Sequence, residues 1–225
     1  MDTLKQVKVA AQAFASRSWE TELIVCDNNS SDETAALARR EGALIVSEPV
    51  NQIARARNKG AAAASGEWLL FIDADSHPSL ELLADVAEQI ASGKCIAGGS
   101  GVVFAKPGRM AMFAAWLWNN SSSLLKWMAG AFIFVETKAF QKIGGFNQEL
   151  YISEEIDLSQ RLKREARLRK RKIVILRRHP IVTSARKLHL YSGWEHARFL
   201  TNLLLSLGRS THNRADCFPW YDGRR

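Results

Sequence analysis

The chain has 225 residues, 47% hydrophobic and 24% charged, which is enough for one globular domain with a proper core and excludes a wholly disordered chain. Lysine and arginine outnumber aspartate and glutamate 31 to 23, and the net charge of +8 favours anionic partners such as phosphates, nucleic acid or an acidic membrane surface. The three cysteines, Cys26, Cys95 and Cys217, have no Cys-x-x-Cys spacing, and their odd count argues against a disulfide framework, so a reducing cytosol is the simpler home.

Leu4, Val7, Val9, Ala11 and Phe14 form a helical stripe over residues 1–15. Asp2, Lys5 and Lys8 interrupt it, so the segment reads as a helix and not as a signal peptide. Residues 22–27 read as a buried strand that runs into the polar cluster 28–32. Ser31 or Asp32 is placed to cap a helix over 33–40, Gly42 stops it, and 43–46 is the next strand. The Ala-rich stretch 53–64 is helical and carries Arg55, Arg57, Asn58 and Lys59.

Trp68–Ile72 reads as a strand buried on both faces that stops at Asp73-Ala74-Asp75. Two carboxylates spaced two apart at a strand end can face one side, where an open α/β sheet collects ligands, and a hard divalent cation carried by a phosphorylated substrate would suit them. The plainer reading is an Asp-rich turn in which Asp75 or Ser76 caps the following helix, Leu80–Ala91. The triplet alone does not decide between them.

Strands separated by helical patterns of about ten to fifteen residues imply parallel β-α-β units, so the first hundred residues read as a doubly wound, three-layer sheet. Beyond them, 100–104 is a candidate strand and 109–128 a Trp-rich apolar helix or helix pair. The cluster Trp116, Trp118 and Trp127 is core by default, with a sugar-stacking or membrane-facing role left open. A strand at 131–135 leads to Gly144-Gly145-Phe146, and a helix from Glu154 runs to about Arg167. Residues 161–178 hold ten basic side chains and one acid, Glu165, a run that usually marks a solvated face. A short strand at 173–176 precedes an amphipathic helix at 188–207, which either buries Trp194, Phe199, Leu203 and Leu207 on the domain or lies on a membrane with Arg198 and Arg209 toward headgroups. The tail from Gly208 is polar and expected to be loose. No run reaches the ~18 apolar residues that a membrane-spanning helix needs.

Four pieces occur in a telling order: Val25-Cys26-Asp27-Asn28-Asn29-Ser30-Ser31-Asp32, Ala54-Arg55-Ala56-Arg57-Asn58-Lys59-Gly60, Phe71-Ile72-Asp73-Ala74-Asp75, and Gly144-Gly145-Phe146-Asn147 followed by Glu154-Glu155-Ile156-Asp157. Together they resemble the family 2 glycosyltransferases of the GT-A fold, over residues 2–187, and Thr183-Ser184-Ala185-Arg186 is similar to a bacterial branch of that family. The resemblance implies an α/β/α sandwich with a mostly parallel, Rossmann-like sheet, a nucleotide-sugar half at 1–98, an acceptor half at 99–187 and a C-terminal helix and tail at 188–225. It further implies that Asp27 and Asp32 hold the nucleotide, commonly uridine, and that Arg57 and Asn58 line the nucleotide-sugar pocket. Asp75 would ligate Mn2+ or Mg2+ on the diphosphate, with Asp73 facing the nucleotide or a metal-bound water. Glu155 matches the general base, with Glu154 before it and Gly145 in the acceptor-side loop.

The chemistry suits these residue types. Breaking a sugar–phosphate bond builds negative charge on the departing diphosphate, which a metal beside Asp75 can take, while a carboxylate removes the proton of the attacking hydroxyl in one inverting displacement. Taken alone, Glu155 could be only a first-turn acid stabilised by the helix dipole, and Asp27 only a turn residue. Two departures stand out. Where the family begins with a strand and a nucleotide-contacting loop, this chain has the helix 1–15 first, which would leave a backbone edge beside 22–27. Position 155 holds Glu in place of the family's usual Asp.

The leading expectation is therefore a metal-dependent inverting glycosyltransferase in glycan or glycolipid synthesis, with an unidentified glycan or lipid-linked acceptor. Its rivals are a non-catalytic or shortened nucleotide-binding family member and a sugar nucleotidyltransferase, the latter lacking its expected Gly-rich basic loop. A nucleic-acid role is not expected, since the basic run lacks interleaved aromatics. The expected location is cytoplasmic, with peripheral contact at the inner membrane face and oligomerisation left open.

Overall fold

The structure, a computed structural model, describes residues 2–105, 107–186, 190–206 and 208–221. Met1 and the helix-bounding Leu188 and Leu207 of the sequence reading lie outside the described residues, as does the side chain of Leu203. Helix α1 (Asp2–Ala15) comes first, and among the described residues no strand precedes it. Strands β1 (Ile24–Asp27) and β2 (Leu44–Ser47) flank α2 (Thr34–Arg40) and pair in parallel, the β-α-β unit that the alternating pattern predicts. Then come α3 (Ile53–Ala63), β3 (Trp68–Ile72), β4 (Ser76–His77) and α4 (Leu80–Ala91). They are followed by β5 (Cys95–Ala105), α5 (Arg109–Leu125), β6 (Phe132–Glu136), α6 (Thr137–Lys142), α7 (Glu154–Leu168) and β7 (Lys172–Ser184). Helix α8 (Gly193–Leu205), a 3-10 turn at Arg209–His212 and the short α9 (Phe218–Tyr221) close the described chain.

Strands β3 to β7 form a second sheet in the order β3-β6-β5-β7-β4. The α/β class and GT-A-type layering hold, but the expected mostly parallel sheet is corrected in its strand directions. Strand β6 runs antiparallel to both β3 and β5, β4 runs antiparallel to β7, and only β5 and β7 pair in parallel here. Strand β6 enters between β3 and β5, and although α5 separates it from β5 as a crossover helix would, the chain comes back antiparallel, so helix-strand alternation does not fix its direction. Among the described residues, β1 pairs only with β2 and β3 only with β6, so the facing edges of the two sheets carry no ladder between them.

Side-chain alternation along β6 builds the layers. Ile133 and Val135 join Ile96, Phe140, Phe146, Leu158 and Leu162 beneath α6 and α7, while Phe132 and Phe134 join Phe14, Leu82, Leu83 and Val86 beneath α1 and α4. Ser79 starts α4 by accepting a hydrogen bond from Leu82 N at 3.1 Å, and the buried stripe Leu82, Leu83, Val86 and Ala87 follows at helical spacing. The C-cap of α5, Lys126, is left-handed and ends that helix before the chain turns back into β6.

Strands β5 and β7 are longer than the patterns suggest, beginning at Cys95 and extending to Ser184. Their register shifts after Ser100, so that Leu176 pairs beside Ser100 but Ile181 beside Val102. Bulges of this kind bend and twist a strand pair. The bend has a visible consequence: β3 and β4 lie at opposite ends of the strand order, yet only Asp73, Ala74 and Asp75 join them, a link of four Cα–Cα steps that spans at most about 14 Å. The sheet must curl for that link to close, and Asp73-Ala74-Asp75 is the clasp. The basic run 161–178 is partly absorbed inside the protein: Arg169 pairs with Glu165 and Glu136, and Arg171 with Glu136. No helix among the described residues is long and apolar enough to cross a membrane.

Phe134 is fully buried against Trp68 and Phe132, with ring centroids 6.1 and 6.4 Å away. Phe134→Ala should lower the unfolding free energy by about 3–5 kcal/mol, read as a shift of the urea midpoint at unchanged slope; an unshifted midpoint would remove Phe134 from the core.

Candidate active site

The site grows from a guanidinium taken out of water. Arg57 projects from α3 with its side chain 11% exposed. Its Nη1 donates to Glu154 Oε1 at 2.8 Å, and its Nη2 donates to Asp73 Oδ1 at 2.8 Å and to Gly130 O at 2.9 Å. Its plane also sits 5.3 Å from the Phe146 ring centre. Burial alone would pull the guanidinium down, but Asp73 and Glu154 overcome this and hold it above its usual value. Gly130 is small for a reason: a Cβ there would stand 3.0 Å from Arg57 Nη2.

The two glutamates at the start of α7 differ because Arg57 reaches only one of them. Glu154 is 4% exposed, and burial raises its carboxyl even though Arg57 opposes the shift. Glu155, half-buried, lacks that direct pair; burial and the neighbouring Glu154 charge push it up to about 8. Its backbone carbonyl accepts from Ser159 Oγ at 2.7 Å, and the same hydroxyl accepts from Met128 N at 3.0 Å. Ser153 just before the pair sits in the left-handed region at φ 62°, a position a non-glycine residue holds only when its surroundings impose it.

Asn58 does a different job from Arg57. Its Nδ2 donates to Phe146 O at 2.8 Å and its Oδ1 accepts from Phe146 N at 2.9 Å, so the amide is spent on holding the Gly145-Phe146 turn. Gly145 has φ 70°, and a Cβ there would come 2.6 Å from Asn58 Oδ1, which no other residue tolerates without moving the clamp. Phe146 then packs edge-on against Phe71, at 5.1 Å, beneath the Arg57 cluster.

Asp73 and Asp75 part company. Asp73 is tied by Arg57, and its backbone carbonyl accepts from Ser76 N at 2.9 Å, which tightens the clasp. Asp75 is half-buried and its carboxylate has no hydrogen bond or ion pair among the described residues. Helix α4 is capped by Ser79, so neither Asp75 nor Ser76 serves as its cap. No cluster of three metal-ligating side chains occurs among the described residues. A single untied carboxylate at a strand end still fits a hard cation whose remaining ligands are phosphate oxygens and water, the usual Mg2+-like arrangement.

Asp27 ends β1, and Asp32 stands just before α2. Asp27 Oδ1 accepts from Ser30 N at 3.0 Å, an Asx-type turn that leaves its other oxygen available, and Asp32 Oδ1 accepts from Thr34 N at 3.0 Å at the start of α2. The link from this loop to the segment before α7 is Gln52, which carries no motif of its own. It is 2% exposed; its N–H donates to Asn28 Oδ1 at 3.0 Å, and its Nε2 donates to Gln148 O and Leu150 O at 2.7 and 2.9 Å.

The C-terminal segment was missed as well. The expectation of a loose tail is corrected: Thr211 O accepts from Tyr151 N at 2.8 Å, and the Tyr221 hydroxyl donates to Tyr151 O at 2.8 Å and accepts from Ile53 N at 3.4 Å. Burial pushes the Tyr221 hydroxyl up to about 12. Cys217 and the ring pairs Phe199–Phe218 and Phe199–Trp220 seat this segment beneath α8. A polar count over the tail hides these spaced aromatic anchors.

The sequence profile of glycosyl transferase family 2 matches residues 7–142. A TPR repeat-containing protein of Synechococcus elongatus is 40% identical over 70 residues, which cover 31% of this chain and 17% of that protein. Among solved structures, TarS of S. aureus superposes with a TM-score of 0.57 at 17% identity, over 85% of this chain and 59% of that one. The mannosyltransferase PcManGT from Pyrobaculum calidifontis, in complex with GDP-Man and Mn2+, gives 0.58 at 16% identity, over 97% and 64%. Glucosyl-3-phosphoglycerate synthase from Mycobacterium tuberculosis, with Mn2+, UDP-glucose and phosphoglyceric acid, gives 0.57 at 19% identity, over 93% and 75%. These likenesses show a shared fold, and the chain spans less than two thirds of the curated relative and of the first two structures.

Removing the guanidinium strands Glu154 and Asp73, so Arg57→Ala should cost about 3–5 kcal/mol of stability, and Arg57→Lys, with one charge but no fork, should recover only part of it in the same urea titration. A second expectation concerns pH. The Glu155 carboxyl rises on folding from its ordinary 4.5 to about 8, so between those values the folded protein holds a proton that the unfolded chain releases. That contribution to stability is complete below the unfolded value and is lost as pH rises through about 8. The melting temperature of the ligand-free protein should therefore fall on going from pH ~5 to ~9, and Glu155→Gln should flatten the fall; parallel curves would show that Glu155 does not carry it.

Proposed function

Because the chain belongs to glycosyl transferase family 2, we propose that it moves a sugar from a nucleotide-diphosphate donor to an acceptor hydroxyl in a single inverting displacement. The observation that carries this reading is the unequal treatment of two pairs of acids close in sequence: Arg57 ties Asp73 and Glu154, while Asp75 and Glu155 are left without such a partner. Solved structures of the same fold, PcManGT and glucosyl-3-phosphoglycerate synthase, hold Mn2+ with a nucleotide sugar, which favours the same ligand class here.

In this reading Asp27 and Asp32 hold the nucleotide, with the untied Asp27 oxygen accepting from the base. Asp75 would be the protein ligand of a Mn2+ or Mg2+, and Asp73, fixed by Arg57, would face the nucleotide beside it. The metal, when bound, offsets the charge that develops on the diphosphate. Glu155 accepts the proton of the acceptor hydroxyl as the hydroxyl oxygen bonds to the anomeric carbon and the sugar–phosphate bond breaks. A carboxylate whose proton affinity lies close to working pH is suited to that task. Glu in place of Asp lengthens the arm by one methylene, and Ser159 and the strained Ser153 set where its backbone starts. Arg57 and Glu154 position the pair without touching the reacting atoms, and Gly145, held by Asn58, shapes the acceptor side. The place of action proposed is the cytoplasm.

Thermal shift with UDP or GDP and Mn2+ tests the binding half. The nucleotide should raise the melting temperature of the wild type and of Glu155→Gln by similar amounts, with little effect on Asp75→Asn. Product analysis tests the other half: Glu155→Gln should lose transfer by about a hundredfold or more. Transfer retained by Glu155→Gln would move the base elsewhere, and an equal thermal shift in Asp75→Asn would end the metal assignment.

A further inference from the structure

Helix α5 carries an apolar face that the fold does not use. Its 17 residues make a rod about 25 Å long at roughly 1.5 Å per residue. One side already docks it: Ala111 and Ser122 are buried, Trp118 packs on the core, and Asn119 grips the Val102 backbone, Oδ1 accepting at 2.8 Å and Nδ2 donating at 2.9 Å. The other side presents Met110, Phe113, Leu117 and Leu124 at helical spacing, flanked by Met112 and Trp116. Met110 is 77% exposed, Phe113 63%, Trp116 61% and Leu124 82%, and the Phe113 and Trp116 rings stack on each other in solvent at 6.0 Å. This corrects the default placement of Trp116 in the core. The helix is satisfied on its inner side, so the outer face is not awaiting burial within this domain.

Charge chooses the occupant. Helix α5 contains no Asp or Glu, Arg109 opens it, Lys126 caps it, both are exposed, and the chain carries +8 overall. Acid-free, with bases at both ends and Trp, Phe, Met and Leu along one flank, it has the make-up of a helix that lies in a membrane interface, its apolar face about 5–10 Å deep and its bases among anionic headgroups. An exposed patch of this composition on a single domain marks a contact surface.

We propose that α5 seats the protein on an anionic lipid bilayer. The helix also leads straight to the candidate site: after Trp127, the Met128 N–H donates to Ser159 Oγ, whose hydroxyl holds the Glu155 carbonyl, and Gly130 O receives Arg57. On the transferase reading, an acceptor hydroxyl carried on a lipid headgroup would approach Glu155 from the end of α5, a consequence that rests on that reading whereas the docking does not.

The test is co-sedimentation of the full chain with large unilamellar vesicles of phosphatidylglycerol and phosphatidylcholine, or of phosphatidylcholine alone. The wild type should pellet with the anionic vesicles, less so at high salt, and poorly with the neutral ones. Phe113→Ser/Trp116→Ser should weaken the binding by about tenfold or more, and Leu124→Asp, at the most exposed position, should weaken it too. Both changes lie on solvent-facing positions, and an unchanged melting temperature verifies the fold. Absence of binding to anionic vesicles, equal binding by the variants, or a wild-type dimer that the variants turn into monomers would each overturn the proposal, the last assigning the face to a second copy. Thermal shift with UDP or GDP and Mn2+, run on the same samples, reports on the transferase reading separately.

Discussion

A buried guanidinium with three acceptors organises this protein. Leaving such a charge unpaired out of water costs several kcal/mol, so the segments that supply its partners are held to one arrangement. Those segments are the end of β3, the approach to β6 and the start of α7, which lie far apart in sequence and all converge on Arg57. The same three bonds divide the local acids by function. Asp73 and Glu154 are tied in place; Asp75, two residues beyond Asp73, and Glu155, next to Glu154, carry no such tie and in the proposed mechanism are the acids that take the cation and the proton. A site that needs both rigidity and reactive charge obtains them from one arginine.

The clasp at Asp73-Ala74-Asp75 shows how backbone geometry serves that arrangement. Opposite edges of a five-stranded sheet meet through three residues because β5 and β7 shift register and curl. With β3 fixed by β6 on one side and β4 fixed by β7 on the other, through Ser76 Oγ and Thr183 Oγ1 at 3.0 Å, the link has little freedom. Asp75 thus gains a defined position without a side-chain partner, which is what a carboxylate waiting for an external ligand requires.

Much of this was legible in the residues, for physical reasons that also mark the limits. Apolar runs that end in Asp, such as Trp68–Ile72, and helices with clean stripes, such as Leu80–Ala91, announce themselves because burial and periodicity are local properties. Strand direction across β6 is not local, and the mixed sheet could not be read from alternation. The long β5 hid behind Gly98 and Gly99, which look like a break but are the positions where Phe134 and Met128 press against the backbone: a Cβ at Gly98 would stand 2.4 Å from the Phe134 ring. Motif order brought Arg57, Asn58, Asp73 and Glu154 onto one list, yet only the fold shows that Asn58 grips a backbone turn while Arg57 grips carboxylates. Gln52 escaped notice because a lone glutamine has no signature; its two ends matter only once residues 28 and 148–150 are neighbours.

The C-terminal segment completes the same logic from outside. Tyr221 joins the first residue of α3 to the loop that feeds α7, and Thr211 takes the other hydrogen bond that loop offers at Tyr151. Both helices that supply the Arg57–Glu154 pair are therefore braced at their starts by residues that follow all four of the sequence motifs. Burial holds the Tyr221 proton well beyond neutral pH, so the brace keeps its donor wherever Glu155 titrates. The acids can change protonation while the frame that aims them does not.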